Sequence, residues 1–186
     1  FDDVLTGSGG FVGFRGGAGN DVIDGSAGTT VADYHDSTAI QGVTVDLGSD
    51  NQTVSVTVID GFGDTDTLTS IERVIGTKFD DVLTGDIGDN RLRGAEGSDT
   101  LDGGLGIDYV EYTLDKGSVT VDLSTNSALD SFGGTDTLTN IENVFGSSYD
   151  DMITGDAGSN WLDGFWGDDT LTGGGGKDTL LGSYGD

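Results

Sequence analysis

The sequence predicts an all-β solenoid, and three observations predict it. Glycine supplies 35 of the 186 residues and recurs with a period of nine, a density at which a helix loses most of its propensity. Each nine-residue unit ends in a three-residue stretch with one apolar side chain at position eight. The segments between the glycine arrays alternate apolar with polar residues, as in Val43, Val45 and Leu47 against Thr44 and Asp46.

The first array, 1–33, opens on FDDVLT and continues as GSGGFVGFR (7–15), GGAGNDVID (16–24) and GSAGTTVAD (25–33). Phe1 already lies inside a motif that recurs at 79–85, so the chain reads as a piece of a longer protein. The second array, 76–111, runs GTKFDDVLT, GDIGDNRLR, GAEGSDTLD, GGLGIDYVE. The third, 146–186, runs GSSYDDMIT, GDAGSNWLD, GFWGDDTLT, GGGGKDTLL before its last residues. Every unit reads as a glycine turn followed by a short strand. Glycine supplies the positive φ values that such tight turns need. Side chains alternate faces along a strand, so one inward residue per three-residue strand is the expected count. Those inward residues are Leu5, Phe14, Ile23, Leu83, Leu92, Leu101, Val110, Ile153, Leu162, Leu171 and Leu180.

The inserts, 34–75 and 112–145, repeat one another. GVTVDL (42–47) matches SVTVDL (118–123), DTLTSIERVIG (66–76) matches DTLTNIENVFG (136–146), and Tyr34 matches Tyr112. They read as longer coils of the same solenoid, making one elongated unit from 1 to 186. Ten or so coils at ~4.8 Å spacing give a rod of roughly 45–50 Å.

Charge narrows the function. The net charge of −27 comes from 34 acidic residues against 7 basic ones, which taken alone predicts disorder. It excludes nucleic acid, whose phosphates need Lys and Arg, and it calls for cations. Absence of cysteine excludes disulfides and thiolate metal sites. No apolar run approaches the ~20 residues of a membrane span, and no cleavable signal is visible. With His35 the sole histidine, triads of the usual kinds are excluded. A carboxylate pair could serve glycoside hydrolysis, yet acidic pairs are everywhere and none is singled out. No enzyme is expected here.

The unit G-G-x-G-x-D-x-U-x resembles the RTX (haemolysin-type) calcium-binding repeat, whose signature it is. The resemblance covers about eleven units and roughly half the chain. It implies a right-handed parallel β-roll or β-helix with two nonapeptides per coil. It implies several Ca2+ ions, each held in the turns between successive coils on the same side. It also implies a secreted bacterial protein, exported unfolded by type I secretion and located outside the cell or on its surface. The module would then fold on meeting extracellular calcium and serve as a structural or adhesive rod. The alternative is an accessory folding or carbohydrate-binding module of a secreted protease, lipase or polysaccharide-modifying enzyme.

Two nonapeptides per coil place residues eighteen apart on one edge, one strand spacing from each other. Asp81 then stacks with Asp99, Asn90 with Asp108, Asp151 with Asp169, Asn160 with Asp178, and Asp3 with Asp21. Alternate aspartates go to opposite edges, so two ladders form. Unit negative charges ~4.8 Å apart repel by roughly 3–4 kcal/mol at an effective dielectric near 20. Burial of one leucine contributes ~1.5–3 kcal/mol in the other direction. A divalent cation between turns reverses that balance. Calcium accepts six to eight oxygens at flexible geometry, magnesium demands a stricter octahedron, and zinc wants clustered His or Cys. Asp86 and Asp156, four residues before Asn90 and Asn160, are candidates to restore the missing charge there. Asp66 and Asp136 precede aligned leucines and lie fifteen residues before Asp81 and Asp151, as ladder members of a shortened coil, with Glu72 and Glu142 opposite. Val12 and Thr30 are ladder partners without a carboxylate.

Tyr109, Trp161, Phe165 and Trp166 are read either as a sugar-stacking platform or as cross-strand packing, and Arg91 and Arg93 as outward residues offsetting nearby acids. The expected partners are thus calcium ions, with a cell-surface polysaccharide or neighbouring repeats of the same protein as further candidates.

Overall fold

A computed structural model describes residues 1–26, 28–50 and 55–182; the end of the third array, 183–186, lies outside the described residues. Every regular element is a strand. The first array forms β1 (Val4–Thr6), β2 (Phe11–Phe14), β3 (Val22–Asp24) and β4 (Thr29–Asp33). The first insert forms β5 (Thr44–Asp46), β6 (Val56–Ile59), β7 (Thr65–Thr69) and β8 (Arg73–Ile75). Next come β9 (Val82–Thr84), β10 (Arg91–Arg93), β11 (Thr100–Asp102) and β12 (Tyr109–Glu111). The second insert repeats the first with β13 (Thr120–Asp122), β14 (Ser127–Leu129), β15 (Thr135–Thr139) and β16 (Asn143–Phe145). The third array gives β17 (Met152–Thr154), β18 (Trp161–Asp163), β19 (Thr170–Thr172) and β20 (Thr179–Leu181).

Two sheets face each other as a β-roll. One has twelve strands in the order β1-β3-β7-β6-β5-β9-β11-β15-β14-β13-β17-β19, and the other has eight, β2-β4-β8-β10-β12-β16-β18-β20. Within the arrays, strands pair in parallel with an eighteen-residue offset, as in Leu5 with Ile23, Leu83 with Leu101 and Leu162 with Leu180.

The inserts depart from a simple longer coil. In each, the middle strand runs antiparallel to both neighbours: β6 to β5 and β7, and β14 to β13 and β15. The chain leaves β4, crosses to β5 three strand positions from β3, and returns through β6 to lay β7 on β3. Alternating polarity marks a strand but does not set its direction; the route of the return does. Three strands of the long sheet therefore face one strand of the short sheet at each insert. Tyr34 and Tyr112, both buried, belong to the core at these two places. The short sheet counts eight coils rather than ten or so.

The core is one cluster of position-eight side chains from both sheets, joined by the insert residues Val43, Val45, Leu68, Val74, Val119, Val121, Leu138 and Val144. Leu83, Leu92, Leu101, Val110, Ile153 and Leu162 are fully buried, while Leu5, Phe14 and Leu171 are partly so. Leu180 is 43% exposed, because β20 is the last strand of its sheet and nothing described stacks on it. Arg93 also differs from expectation. It is buried, and of the acids offsetting its charge Asp115 of the second insert acts most strongly.

Candidate metal centre

The ladder aspartates sit at position six, on the last turn residue before each strand. The backbone N–H of one donates to the carboxylate of its counterpart in the next coil. On one edge Asp3 donates to Asp21 (2.7 Å) and Asp21 to Asp66 (2.9 Å). Val43 donates to Asp81 (2.6 Å), Asp81 to Asp99 (2.8 Å) and Asp99 to Asp136 (3.0 Å). Val119 donates to Asp151 (2.8 Å), and Asp151 to Asp169 (2.9 Å). On the opposite edge Thr30 donates to Glu72 (2.7 Å), Asn90 to Asp108 (2.7 Å), Asp108 to Glu142 (2.8 Å) and Asn160 to Asp178 (3.1 Å).

This brings the expected eighteen-residue pairs together and corrects one expectation. Asp66 stacks on Asp21, 45 residues earlier, and Asp136 on Asp99, 37 residues earlier, rather than leading into Asp81 and Asp151. The antiparallel ribbon stands between them. Val12 and Thr30 are aligned partners, and Glu72 supplies the carboxylate that follows them. Asp86 and Asp156 tie into the ladder through their backbone. Each uses its backbone N–H to donate to Asn90 Oδ1 (2.7 Å) or Asn160 Oδ1 (2.9 Å), while its own Oδ1 accepts from Gly88 (2.7 Å) or Gly158 (2.7 Å).

The turns fall into two kinds, decided at position two. In the first kind, Thr77, Asp86, Ser147 and Asp156 turn their N–H onto the position-six side chain. Thus Asp81 accepts from Thr77 N–H (2.6 Å) and Thr77 Oγ1 (3.0 Å), and Asp151 from Ser147 N–H (2.6 Å) and Ser147 Oγ (2.8 Å). In the second kind, position two is Gly17, Ala95, Gly104, Phe165 or Gly174, with φ between 67° and 89°. That N–H faces away. Asp21, Asp99, Asp108 and Asp169 then each keep a buried Oδ2 with no hydrogen-bond partner. The position-one glycine is obligatory here, since a Cβ on Gly94 would overlap Asp99 Oδ2.

Burial raises these acids. Desolvation, with neighbouring carboxylates, lifts Asp99 to about 8 and Asp108 to about 7. It lifts Asp81, Asp66 and Asp136 to about 6, while Asp21, Asp151 and Asp169 move up as well. A buried carboxylate oxygen without a donor demands a proton or a cation. Carboxylate and backbone carbonyl oxygens stand close together in these turns, as Asp81 Oδ2 and the Gly94 carbonyl do around Gly76, a donor set that suits calcium.

A second set of rungs escaped the sequence reading. Position-five side chains accept from the N–H one coil further on: Asp80 from Ser98 (2.8 Å), Asp150 from Asp168 (2.9 Å), Asp89 from Ile107 (2.9 Å) and Asp2 from Asn20 (3.0 Å). The doublets Asp80–Asp81 and Asp150–Asp151 are the signal that could have revealed them. The two rows bond in opposite directions, so each turn is tied to the coils on both sides.

Comparison with curated proteins returns no match. A family model for the RTX calcium-binding nonapeptide repeat, in 4 copies, matches residues 1–31, 75–110 and 145–180. These segments are the arrays that carry the ladders, and together they make up more than half of the chain. The chain belongs to the RTX calcium-binding nonapeptide repeat family.

Proposed function

We propose that this chain is a calcium-triggered folding module of a secreted protein, acting as a structural or adhesive rod outside the cell. The supporting observation is the set of orphaned, buried Oδ2 atoms of Asp21, Asp99, Asp108 and Asp169. Without metal, folding buries ionised groups that nothing satisfies; with calcium between the turns, the same atoms become ligands. Asp3, Asp21, Asp81, Asp99, Asp151 and Asp169 would serve one edge, with Asp66 and Asp136 at the insert boundaries. Asn90, Asp108, Asn160 and Asp178 would serve the other, supported by Asp86 and Asp156. Export in an unfolded state, followed by folding where calcium is abundant, fits such a switch. Circular dichroism is the test. The chain should be largely disordered in chelator and β-rich at calcium near ~10⁻⁴–10⁻³ M. A cooperative melt in chelator that calcium leaves unmoved would overturn the proposal.

A second reading rests on the outward aromatics. Tyr109 stacks on Phe145 (5.2 Å between ring centres), Phe145 meets Phe165 edge-on, and Arg91 lies over both Tyr109 and Phe145. That group packs on itself. Trp161 and Trp166, however, are 43% and 56% exposed, which favours a carbohydrate-binding accessory role. Co-sedimentation with insoluble polysaccharides, lost in a Trp161→Ala/Trp166→Ala variant, would support it; no retention by the parent would dismiss it.

A further inference from the structure

Asp60 and Asp130 open the matching insert stretches DGFGDTDTLT (60–69) and DSFGGTDTLT (130–139), outside the segments the repeat family covers. Their relative exposures are only 1% and 3%. Asp60 Oδ1 accepts from the N–H groups of Phe62 (2.9 Å) and Asp64 (2.7 Å), and Asp130 Oδ1 from those of Phe132 (2.9 Å) and Gly134 (2.6 Å). In both residues Oδ2 is shut off from solvent and has no partner.

These orphaned oxygens have company. Asp60 acts electrostatically on Asp21 and Asp66, and Asp130 on Asp99 and Asp136. Asp21 and Asp99 each bury an unpartnered Oδ2 of their own, and Asp66 faces the buried Tyr34 hydroxyl. Asp136 Oδ2 accepts from the buried Tyr112 hydroxyl (2.9 Å). A Cβ at Gly134 would run into both the Gly97 carbonyl oxygen and Asp130 Oδ2. Glycine there keeps open a gap where a repeat-turn carbonyl lies close to the insert's orphaned carboxylate. The strongest charges acting on Asp66, Asp99 and Asp136 are all carboxylates; Arg93 acts instead on Asp115. Carboxylates thus dominate the charge around both trios, with the N-terminal ammonium offsetting Asp21 in part.

We propose that each insert carries a calcium site of its own, anchored by Asp60 with Asp21 and Asp66 in the first and by Asp130 with Asp99 and Asp136 in the second. The proposal rests on the calcium reading of the repeats. Among the described residues no three acidic side chains already converge as a ligand group, so the ion completes its shell with carbonyl, hydroxyl or water oxygens. The site stands where parallel stacking gives way to the antiparallel ribbon, and it fastens β7 and β15 to the arrays before them.

Native mass spectrometry of the full chain in saturating calcium tests this with Asp60→Asn, Asp130→Asn and the double variant. Asparagine keeps the oxygen that receives the turn's N–H groups and removes the charge. Each single variant should bind one ion fewer than the parent and the double variant two fewer, with β-rich circular dichroism retained. Variants that match the parent's count overturn this inference alone, whereas a parent that binds no calcium overturns the repeat reading as well. Should the double variant fail to fold, crystals of the parent grown in calcium decide. Anomalous density within ligand distance of Asp60 Oδ2 and Asp130 Oδ2 supports the sites, and its absence at both overturns them.

Discussion

The turns that hold Asp81 and Asp99 are neighbours on one ladder, built from the same nine-residue pattern, and they treat their carboxylates in opposite ways. Asp81 is covered by donors from Val43 and Thr77 and rises to about 6. Asp99 receives only the N–H of Asp81, leaves Oδ2 orphaned and rises to about 8. The cause is one dihedral: Ala95 sits at φ 81°, whereas Thr77 is not among the positive-φ residues. The third array repeats the contrast, with Ser147 before Asp151 and Phe165, at φ 67°, before Asp169. The lesson is a division of labour along the second and third arrays. The first turns satisfy themselves with protein donors, and the later turns are left dependent on an outside cation.

The largest effect that would break this comparison is acidification without metal. Asp99, Asp108 and Asp21 have folded-state pKa values above the unfolded ones, chiefly through desolvation. Their contribution is therefore fully present below the unfolded value near 4 and is lost as pH rises through the folded value. Asp99 alone, moving from 3.8 to about 8, contributes on the order of several kcal/mol to that loss. In chelator, the folded fraction read by circular dichroism should be higher at pH 4.5 than at pH 8, where the chain is largely disordered. In calcium the order should reverse, because protons compete for the ligands. A chelated sample whose stability is flat over this range would show that the orphaned oxygens are not the source of the metal requirement.

Next in size is a pair that separates packing from metal. Leu101→Ala empties a fully buried site and should cost ~2–5 kcal/mol through its cavity. That loss should persist at saturating calcium. Asp99→Ala removes no core methylene, and it should shift the folding midpoint to higher calcium while recovering much of its stability as calcium rises. Thermal unfolding across a calcium titration distinguishes them. An unchanged calcium midpoint in Asp99→Ala would make Asp99 a turn residue only.

Isosteric amides sharpen the contrast further. In chelator at pH 8, with enough of an excluded osmolyte such as TMAO to populate the folded state, Asp99→Asn removes a charge from an oxygen that nothing donates to, so it should stabilise. Asp81→Asn turns an amide NH2 toward a donor it formerly accepted from, the Thr77 N–H or hydroxyl, and should destabilise by ~1–3 kcal/mol. Opposite signs support the two kinds of turn. The same sign in both would merge them.

How much of this was legible in the sequence depends on the range of the interaction. The nine-residue period fixed the turns and the inward leucines, and eighteen-residue stacking followed once two units made a coil. Asp66 and Asp136 were recognised as ladder members, but their partners were not, because those lie beyond a ribbon whose antiparallel return no local pattern dictates. Asp60 and Asp130 stand at the head of glycine-containing turns, and no periodicity in the sequence marks them for burial. Arg93 fell at an outward position and is nonetheless covered by the second insert. Position two carried a readable cue, since Thr77, Asp86, Ser147 and Asp156 precede the self-satisfied residues, whereas Gly, Ala or Phe precedes the orphaned ones. The cue has meaning only once the direction of the N–H is known.

The smallest expected effect tests that cue directly, through glycine at position two in both turns. Thr77→Gly deletes the hydroxyl that donates to Asp81 (3.0 Å) and accepts from Phe79 N–H (3.0 Å), and it loosens a residue that needs no positive φ. Two hydrogen bonds and added chain entropy together should cost ~2 kcal/mol. Ala95→Gly faces the reverse situation. It relieves a left-handed alanine, worth ~1–2 kcal/mol, and loses a buried methyl, worth ~0.8 kcal/mol, plus a further ~0.4–1 kcal/mol through the freer unfolded chain. These terms nearly cancel, so stability should move by less than ~1 kcal/mol and the calcium midpoint should hold. Chemical denaturation of both variants in calcium measures the difference. If Ala95→Gly loses as much as Thr77→Gly, the positive φ at position two is incidental, and the orphaned oxygen of Asp99 needs another explanation.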